Sequence, residues 1–396
     1  MTRLPQQPPG EKNVLAGALS WPLLLWLGLS LSACGSPSPP APAPGGTIYA
    51  FVANSRSGSV TVVDVGALRV VETVPVGGNP TYLRAHPQRA EVYVLLADAN
   101  SVAVLDARSR RVVARIAVGA QPSFLEFDAD GQRAYVANSG SHTVSVIDCA
   151  TRRVDATVRV GRNPVVARIS PDGRLLVVSN QGDSTVSLLG TDSLEVLATV
   201  PVASQPEALA ILPDSSKAFV AAAAAGQVSA VDLRRRQLLA NIPVGRSPVA
   251  LALKPDGGEL FVANRDSHTV SIINTWSNEV TETLLAARQP VQVLTSSDGT
   301  LLYVAHAGSD LVFVVDIATR RVLGSVPVGR QPTAARLTPD GNTLLVANDG
   351  SNDLAVVDTS ARALSDLLPL QFEPRAIAVV ALASSGEPPA RPQRSP

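Results

Sequence analysis

The sequence predicts an all-β fold built from eight copies of one short unit, because three features of the 396-residue chain share a period of 42 residues. Tetrads of the type Phe-Val-Ala-Asn end at positions 54, 96, 138, 180, 222, 264, 306 and 348. Prolines recur at positions 80, 122, 164, 206, 248, 290, 332 and 374. Asp, Asn or Gly stands at positions 64, 106, 148, 190, 232, 274, 316 and 358. A fixed period of this length indicates a repeat architecture.

Each unit contains four short strands, as the copy that begins at Pro248 illustrates. Residues 249–253 are apolar and are followed by a Pro-Asp-Gly turn. Residues 260–264 include the tetrad, whose last residue, Asn264, we interpret as a turn residue at the end of the second strand. Residues 269–273 alternate polar and apolar side chains, and residues 280–284 supply the fourth strand. A four-stranded meander that is apolar on both faces must pack on a neighbour at each side. A radial ring of such sheets, the β-propeller, meets that requirement.

The first and fourth strands of a unit differ in composition. Residues 164–167 and 374–378 carry mostly small or medium side chains, which suits an innermost strand that lines a crowded axis. The fourth strand is more polar, for example at residues 154–159, as expected for an outer edge.

The two ends of the array determine the blade count. Seven complete units lie between Pro80 and Glu373. The chain before Pro80 supplies only strands two to four, and the chain from Pro374 supplies only a first strand, so the two fragments together make an eighth blade. Residues 47–382 number 336, which is eight times 42. Seven blades with a degenerate extra repeat are the alternative.

The repeat resembles the YVTN-type β-propeller repeat. The resemblance rests on Tyr-Val-Ala-Asn at 135–138, Leu-Val-Ala-Asn at 345–348, Thr-Val-Ser-Val-Ile-Asp at 143–148 and the Val-Pro-Val-Gly-Arg-x-Pro segments that precede several repeat prolines. It implies a propeller of seven or eight blades in a secreted or surface-attached microbial protein, and it does not specify an activity.

The N-terminus has the pattern of an export signal, since the basic residues Arg3 and Lys12 precede an apolar run at 14–31. Leu-Ser-Ala-Cys at 31–34 resembles the bacterial lipobox, which implies that residues 1–33 are removed and that Cys34 is acylated. Gly35 follows the cysteine, which by the same resemblance implies an outer-membrane lipoprotein, periplasmic or surface-exposed. An ordinary signal peptide or a membrane anchor is the alternative.

The remaining segments divide the chain into a tether, a propeller and a tail. Residues 34–46 are rich in Pro, Ser and Gly and are expected to be a stiff tether, and residues 383–396 are expected to be a disordered tail. Residues 47–382 form the predicted propeller. Acylation of Cys34 would leave Cys149 without a disulfide partner, so we expect Cys149 to be a buried bystander. The 33 basic and 33 acidic residues balance, which gives no global field for a charged partner.

Candidate binding residues lie where the 4–1 loops, which join the fourth strand of one blade to the first strand of the next, meet the 2–3 loops. Six of the eight residues before the repeat prolines are amides; the full ring is Asn79, Gln121, Asn163, Gln205, Ser247, Gln289, Gln331 and Glu373. Their side chains either bond the backbone of the adjoining blade or form a polar channel mouth that binds a ligand's hydroxyls or carbonyls.

Charged residues mark both ends of the predicted ring. Next to the pre-proline positions stand four arginines that can bind a carboxylate or phosphate, or else are solvated: Arg162, Arg246, Arg288 and Arg330. His142 and His268 share a position in the 2–3 loops but are three blades apart, too far to share a metal. At the opposite end, arginines at 110–111, 152–153, 234–236 and 320–321 suggest an anionic polymer, although nearby aspartates and an aromatic content of 4% favour solvated turns.

The sequence predicts no catalytic residue, metal or cofactor, because the four histidines form none of the HxH, HExxH or CxxCH patterns. We favour a monomeric, lipid-anchored binding or scaffold module of the cell envelope without enzymatic activity. Its expected partners are the membrane and a protein, a glycan or a small anionic ligand. One alternative is a channel-mouth hydrolase or lyase that resembles calcium-dependent lactonases and uses Glu373, Asn79 and Asn163. A nucleic-acid or anionic-polymer binder is the other.

Overall fold

A computed structural model describes residues 46–383 of the chain. Within this range all regular secondary structure is β-strand. No helix in the described range has the length and apolar character needed to cross a membrane. The predicted signal peptide, the acylated Cys34 and nearly all of the tether and tail lie outside the described residues.

Thirty-two strands form eight four-stranded antiparallel sheets. The first three strands are β1 (Thr47–Asn54), β2 (Ser59–Asp64) and β3 (Arg69–Pro75). Blade 1 contains β4 (Pro80–Ala85), β5 (Glu91–Leu96), β6 (Ser101–Asp106) and β7 (Arg111–Ala117). Blade 2 contains β8 (Pro122–Phe127), β9 (Arg133–Asn138), β10 (Thr143–Asp148) and β11 (Arg153–Arg159). Blade 3 contains β12 (Pro164–Ile169), β13 (Leu175–Asn180), β14 (Thr185–Gly190) and β15 (Val196–Pro201).

The pattern continues through the second half of the chain. Blade 4 contains β16 (Pro206–Ile211), β17 (Lys217–Ala222), β18 (Gln227–Asp232) and β19 (Gln237–Pro243). Blade 5 contains β20 (Pro248–Leu253), β21 (Glu259–Asn264), β22 (Thr269–Asn274) and β23 (Glu279–Leu285). Blade 6 contains β24 (Pro290–Thr295), β25 (Leu301–His306), β26 (Leu311–Asp316) and β27 (Val322–Pro327). Blade 7 contains β28 (Pro332–Leu337), β29 (Thr343–Asn348), β30 (Asp353–Asp358) and β31 (Ala363–Pro369), and the last strand is β32 (Pro374–Leu382).

Strand β32 completes the closing blade, in the order β3-β2-β1-β32. It pairs antiparallel with β1, from Thr47 opposite Leu382 to Ala53 opposite Ala376. The first strand of every blade contacts the first strands of both neighbouring blades, which closes a ring of eight. The predicted eight-bladed propeller with a closing blade shared by both ends is confirmed, and the seven-blade alternative is wrong.

The repeat proline produces an irregularity in the ladder of strands one and two. Pro248 lies opposite Asn264, whereas Ala250 lies opposite Ala263, so one extra residue is inserted on the first strand. Proline has no N–H to donate, and a bulge is a place where a strand tolerates that loss. The same shift occurs after Pro80, Pro122 and the other repeat prolines.

The turn after the third strand is held by its polar first residue. The carboxylate Oδ1 of Asp148 accepts the backbone N–H of Thr151 at 2.6 Å, and Asp316 accepts that of Thr319 at 2.7 Å. These bonds to the charged form lower the pKa of both aspartates. Asp recurs at this 42-residue spacing because its side chain accepts a hydrogen bond from the turn's own backbone.

The tetrad ends in a buried residue, not in the turn residue that the sequence suggested. Asn264 is fully buried, and its Nδ2 donates to Thr269 Oγ1 at 3.1 Å and Ser271 Oγ at 2.9 Å on the next strand. Asn138 and Asn180 make the same pair of bonds to Thr and Ser five and seven residues later. The asparagine side chain thus joins strands two and three by buried hydrogen bonds.

The expectation of small side chains in the first strands holds for only part of the ring. Two residues after the repeat proline, Ala208, Ala250 and Ala376 are small, but Tyr82 and Phe124 occupy this position in blades 1 and 2. The two rings stack with centroids 4.8 Å apart. The axis of the propeller is therefore filled unevenly, with bulky side chains on one side.

Candidate functional site

The two ends of the propeller differ in the loops they carry. The 2–3 and 4–1 loops lie together at one end, here called the upper face, where Ser139 N–H donates to Gln121 O at 3.0 Å. The turns between strands one and two and between strands three and four lie at the other end, the lower face. This arrangement follows from the alternating strand direction in an antiparallel meander.

The pre-proline ring is fixed through its backbone. All eight pre-proline carbonyls accept the N–H of the residue that follows the tetrad of the same blade, at 2.8 to 3.0 Å. At several positions the pre-proline N–H donates to a side chain in the 2–3 loop of the preceding blade, for example Gln121 to Asn100 Oδ1 at 2.9 Å and Gln331 to Asp310 Oδ1 at 2.8 Å. The backbone of this one residue therefore links neighbouring blades.

The blade-to-blade bonds of the pre-proline ring come from its backbone, and its side chains make few hydrogen bonds within the described residues. The hydrogen bonds that these side chains make reach other side chains, since Asn163 Nδ2 donates to Gln181 Oε1 at 2.8 Å and Ser247 Oγ to Asp266 Oδ2 at 2.5 Å. Asn79, Gln121, Gln205, Gln289 and Gln331 are exposed. Because the backbone makes the structural bonds, the amide side chains are available to a partner.

Backbone conformation explains only some of the amides. Seven of the eight pre-proline residues have positive φ, between 51° and 58°, and at Asn79 the preceding Gly77 and Gly78 have positive φ instead. Asparagine tolerates this left-handed region better than most residues. Glutamine has no such preference, so the backbone does not account for Gln121, Gln205, Gln289 and Gln331.

The four predicted upper-face arginines stand beside this ring with exposed side chains. Their backbone is also fixed, because Arg288 N–H donates to Ser309 Oγ at 2.9 Å and Arg330 N–H to Ser351 Oγ at 2.7 Å. Arg246 Nη2 donates to Asp266 O at 3.0 Å. Across the described range, no carboxylate lies within ion-pair distance of Arg162, Arg246, Arg288 or Arg330. Arg246, Arg288 and Arg330 lead into blades 5, 6 and 7 and so form a continuous basic arc.

His142 and His268 are structural residues of the 2–3 loops. Each has positive φ, and each Nδ1 lies 3.1 Å from a pre-proline backbone N–H, that of Asn163 or of Gln289. The same place is taken by Asn100, Asp310 and Asn352, whose Oδ1 atoms accept the equivalent N–H. Each histidine Nδ1 also lies 3.0 Å from a carbonyl oxygen of its own loop, that of Ser139 or of Arg265, so both histidines stand at the blade-to-blade link.

The residues proposed for a calcium site do not form a shared cluster of free oxygens. Glu373 lies 3.7 Å from the guanidinium of Arg375, and Asn163 donates to Gln181. Asn79 leads into blade 1 and Asn163 into blade 3, so another blade separates them. Among residues 46–383 no group of three His, Cys, Asp or Glu side chains is placed to hold a metal ion.

The lower-face arginines are divided between paired and exposed residues. Arg110 contacts Glu72 at 2.9 Å and Arg152 contacts Glu91 at 2.6 Å, each across a blade boundary, and Arg320 pairs with Glu259. These three are therefore inter-blade ties, not freely solvated turn residues. Arg111, Arg153 and Arg321 remain exposed.

The central channel contains a charged cluster that the sequence reasoning missed. Glu126 of β8 lies between two arginines, with Oε1 2.5 Å from Arg84 Nη2 of β4 and Oε2 3.0 Å from Arg168 Nη1 of β12. The guanidinium of Arg168 lies 5.1 Å from the centre of the Phe124 ring. All three charged side chains are largely buried.

Arg336 of β28 completes this cluster from the opposite side of the ring. Blades 3 and 7 are four places apart in a ring of eight, yet the charges of Arg168 and Arg336 affect each other. Burial is the main reason that the pKa of Arg336 falls to about 10; Arg84 and Arg168 also lower it, while Tyr82 and Glu126 act in the opposite direction. Arg336 Nε lies 3.4 Å from the carbonyl oxygen of Ile377 in the neighbouring first strand β32, which places this side chain at the inner wall of the ring.

The signal for this cluster was present in the sequence. Arg84, Glu126, Arg168 and Arg336 all stand four residues after a repeat proline, in first strands that are otherwise apolar. Charged residues at one register of a buried strand are costly unless they are paired or functional. Aligning the eight first strands by their prolines would have placed all four on the channel wall.

Cys149 is fully buried and has no disulfide partner among the described residues. Burial raises the pKa of its thiol to about 11, which keeps it protonated and unreactive near neutral pH. It packs in the hydrophobic core.

Comparison with known proteins supports a β-propeller repeat family. A family model described as a YNCE-like beta-propeller matches residues 81–181. No curated protein sequence matches the chain. Its fold is similar to that of Kuenenia stuttgartiensis hydrazine synthase, at 22% identity and a TM-score of 0.58 over 71% of this chain and 96% of the other.

Two further solved structures share the architecture. The dihydro-heme d1 dehydrogenase NirN is 16% identical, with a TM-score of 0.71 over 83% of this chain and 74% of its own. A functionally unknown protein from Desulfotomaculum acetoxidans is 16% identical, with a TM-score of 0.60 over 74% of this chain and 98% of its own. Identities this low show the fold alone.

Proposed function

We propose that this β-propeller repeat protein is a binding module of the cell envelope, without enzymatic activity, and that it captures its partner on the upper face. One observation carries the proposal: the backbone of the pre-proline ring makes the structural bonds, and most of its amide side chains remain exposed. The fold itself does not need glutamine side chains at positions 121, 205, 289 and 331, because the backbone makes the bonds there. Exposed polar side chains on loops that a rigid scaffold positions are typical of binding sites.

The exposed arginines of the basic arc favour a partner that carries acidic groups. Arg246, Arg288 and Arg330 come from consecutive blades, are exposed and have no carboxylate within ion-pair distance in the described part of the chain. Guanidinium groups bind carboxylates and phosphates with paired hydrogen bonds, and neighbouring amides can bind hydroxyls. We therefore propose a partner that displays acidic groups, such as a protein surface, a glycan or a small organic anion.

Acylation at Cys34 would present this face away from the membrane. Strand β1 begins at the lower face, because its far end at Asn54 leads into a 2–3 loop of the upper face. A tether that joins the chain at Thr47 therefore attaches to the lower face. An outer-membrane anchor and an outward-facing mouth are consistent with one another.

The anchor is tested by metabolic labelling with a fatty-acid analogue in a bacterial host that processes lipoproteins. We expect Cys34→Ser to abolish labelling and to release the protein from membranes, because the acylated sulfur is lost. Cys149→Ser is the matched control and should be labelled normally. Labelling that persists in Cys34→Ser would contradict the lipobox assignment.

The upper-face proposal is tested with purified full-length protein on immobilised heparin, with neutral dextran as the blank. We expect the triple variant Arg246→Gln, Arg288→Gln, Arg330→Gln to bind heparin about tenfold more weakly or worse, since it loses three charge-assisted contacts. The lower-face triple variant Arg111→Gln, Arg153→Gln, Arg321→Gln changes the net charge equally and should bind as the parent does. Equal losses in both variants, or no binding by the parent, would contradict the proposal.

A further inference from the structure

The first strands enclose a second polar region, deeper than the upper-face ring. It lies four residues beyond the repeat prolines, roughly 13 Å along the strand at 3.3 Å per residue. The eight residues at this register are Arg84, Glu126, Arg168, Ala210, Ala252, Leu294, Arg336 and Ala378. The charges are confined to blades 1, 2, 3 and 7, and the other four blades present aliphatic side chains.

The charges at this register do not balance. Three guanidiniums face one carboxylate, which leaves an excess of two positive charges at this register. Glu126 already divides its two oxygens between Arg84 and Arg168. Charge pairs this deep are stable only when the geometry is good and the charge is compensated.

Arg336 is the uncompensated member of the group. Within residues 46–383, the single hydrogen bond of its guanidinium runs from Nε to Ile377 O at 3.4 Å. Burial is the main reason that its pKa falls to about 10. A guanidinium in this position is stabilised by any anion that enters the channel.

Aromatic rings adjoin the charges on one side. Tyr82 and Phe124 are fully buried and stacked, and Arg168 lies over the face of Phe124. The hydroxyl of Tyr82 lies 3.5 Å from Arg84 Nη1. Because the two rings have almost no exposed surface, they support the arginines from behind, and an occupant would contact the guanidinium groups.

We propose that the central channel is a binding site for a compact organic dianion, held by Arg336 together with the Arg84–Glu126–Arg168 ion-pair chain. The excess of two positive charges matches two carboxylates or one phosphate. The site is separate from the upper-face ring, so its test uses different residues and is independent of the proposed function.

The test measures binding and thermal stabilisation of the full-length protein by three probes: phthalate, succinate and inorganic phosphate. We expect phthalate to bind more tightly than succinate, because its two carboxylates are held close together by a rigid ring. Arg336→Gln should weaken binding about tenfold or more, since a charge-assisted contact is lost. Arg321→Gln in the exposed lower-face turn of blade 6 removes the same charge outside the channel and outside the upper-face arc, and it should leave binding unchanged.

The variant Glu126→Gln tests whether the cluster binds an anion or only stabilises the fold, because it raises the positive charge of the channel. Glu126→Gln removes the only carboxylate at this register, so the excess becomes three positive charges. We expect this variant to be less stable without anions, and to be stabilised by phthalate more strongly than the parent. Failure of all three probes to bind the folded parent at about millimolar concentration would overturn the proposal. Binding by Arg336→Gln equal to that of the parent, with both proteins folded by circular dichroism, would also overturn it.

Discussion

Blades 5 and 6 bury different side chains at one position, the end of the second strand. Asn264 and His306 are both fully buried there. The amide of Asn264 donates to Thr269 and Ser271, whereas the positions equivalent to these hydroxyls hold Leu311 and Phe313 in blade 6. The His306 ring packs against Phe313 with centroids 4.7 Å apart, and its nitrogens have no hydrogen-bond partner of good geometry.

A third position, in the loop before the repeat proline, also varies with the residue at the end of the second strand. Gly245 lies against Asn264 so closely that a Cβ on the glycine would stand 2.7 Å from the Asn264 Cβ. Gly119, Gly161 and Gly329 have the same relation to Asn138, Asn180 and Asn348. Blade 6 has Ala287 at this place, and blade 4, which lacks the asparagine, has Ala203. Asparagine and glycine thus form a coupled module in four of the five blades that have the asparagine; the closing blade, with Gln371 at the glycine place, is the exception.

The largest expected effect is a loss of stability in acid that depends on His306. Burial lowers the pKa of His306 to about 4, with a partial opposing effect from the carbonyls of Leu311 and Val304, whereas the unfolded chain titrates near 6.5. Above pH 6.5 both states are neutral and the stability is complete. As the pH falls from 6.5 towards 4, only the unfolded chain takes up the proton, so the free energy of unfolding decreases by about 3 kcal/mol.

The measurement is urea unfolding as a function of pH for the parent and for His306→Leu. Leucine occupies the equivalent position in blade 1, at Leu96, and does not titrate. We expect the variant to lose much less stability between pH 6.5 and 4. Parallel pH profiles of the two proteins would show that His306 is not the titrating group.

A smaller effect is expected from a double-mutant cycle at Asn264 and Gly245. Asn264→Ala leaves two hydroxyls without their donor and should cost about 2 kcal/mol. Gly245→Ala brings a Cβ against Asn264 and Ser267 and should cost about 1 to 2 kcal/mol. In the double variant the second cost should shrink in part, because the contact with the Asn264 amide group is gone whereas the contacts with the Cβ of residue 264 and with Ser267 remain.

Ala287→Gly in blade 6 is the matched control, and it should cost less than about 1 kcal/mol, which is the backbone entropy of glycine alone. All four proteins of the cycle and this control can be compared by urea unfolding at pH 7. Strict additivity of Asn264→Ala and Gly245→Ala would argue against a coupled module.

The sequence predicted the fold well because its signals are local and repeated eight times. Turn residues such as Asp148, bulges at Pro248 and a first strand after Pro374 each follow from the order of residues along the chain. The role of Asn264 was misjudged because a polar residue at a strand end looks like a turn residue until its partners across the sheet are known. Its recurrence with Thr and Ser five and seven residues later was the available signal.

The candidate sites were harder to predict, because their residues come from different blades. The upper-face ring was located correctly at the loops, but sequence alone does not distinguish a backbone bond at Gln121 from a side-chain bond. The contact of Glu126 with Arg84 and Arg168 depends on ring closure, and the proximity of Arg336 depends on the number of blades. Such contacts follow from the diameter of the channel, which no single repeat encodes.

The shared closing blade also has a mechanical consequence. A force applied at the N-terminal end of the described residues, as the predicted tether would apply it, acts along β1, which is paired with β2 on one edge and with β32 on the other. Because the pull runs parallel to the strand, it loads both ladders in shear, and many hydrogen bonds share the force at once. A terminal strand on an outer edge would have only one ladder to resist the same load.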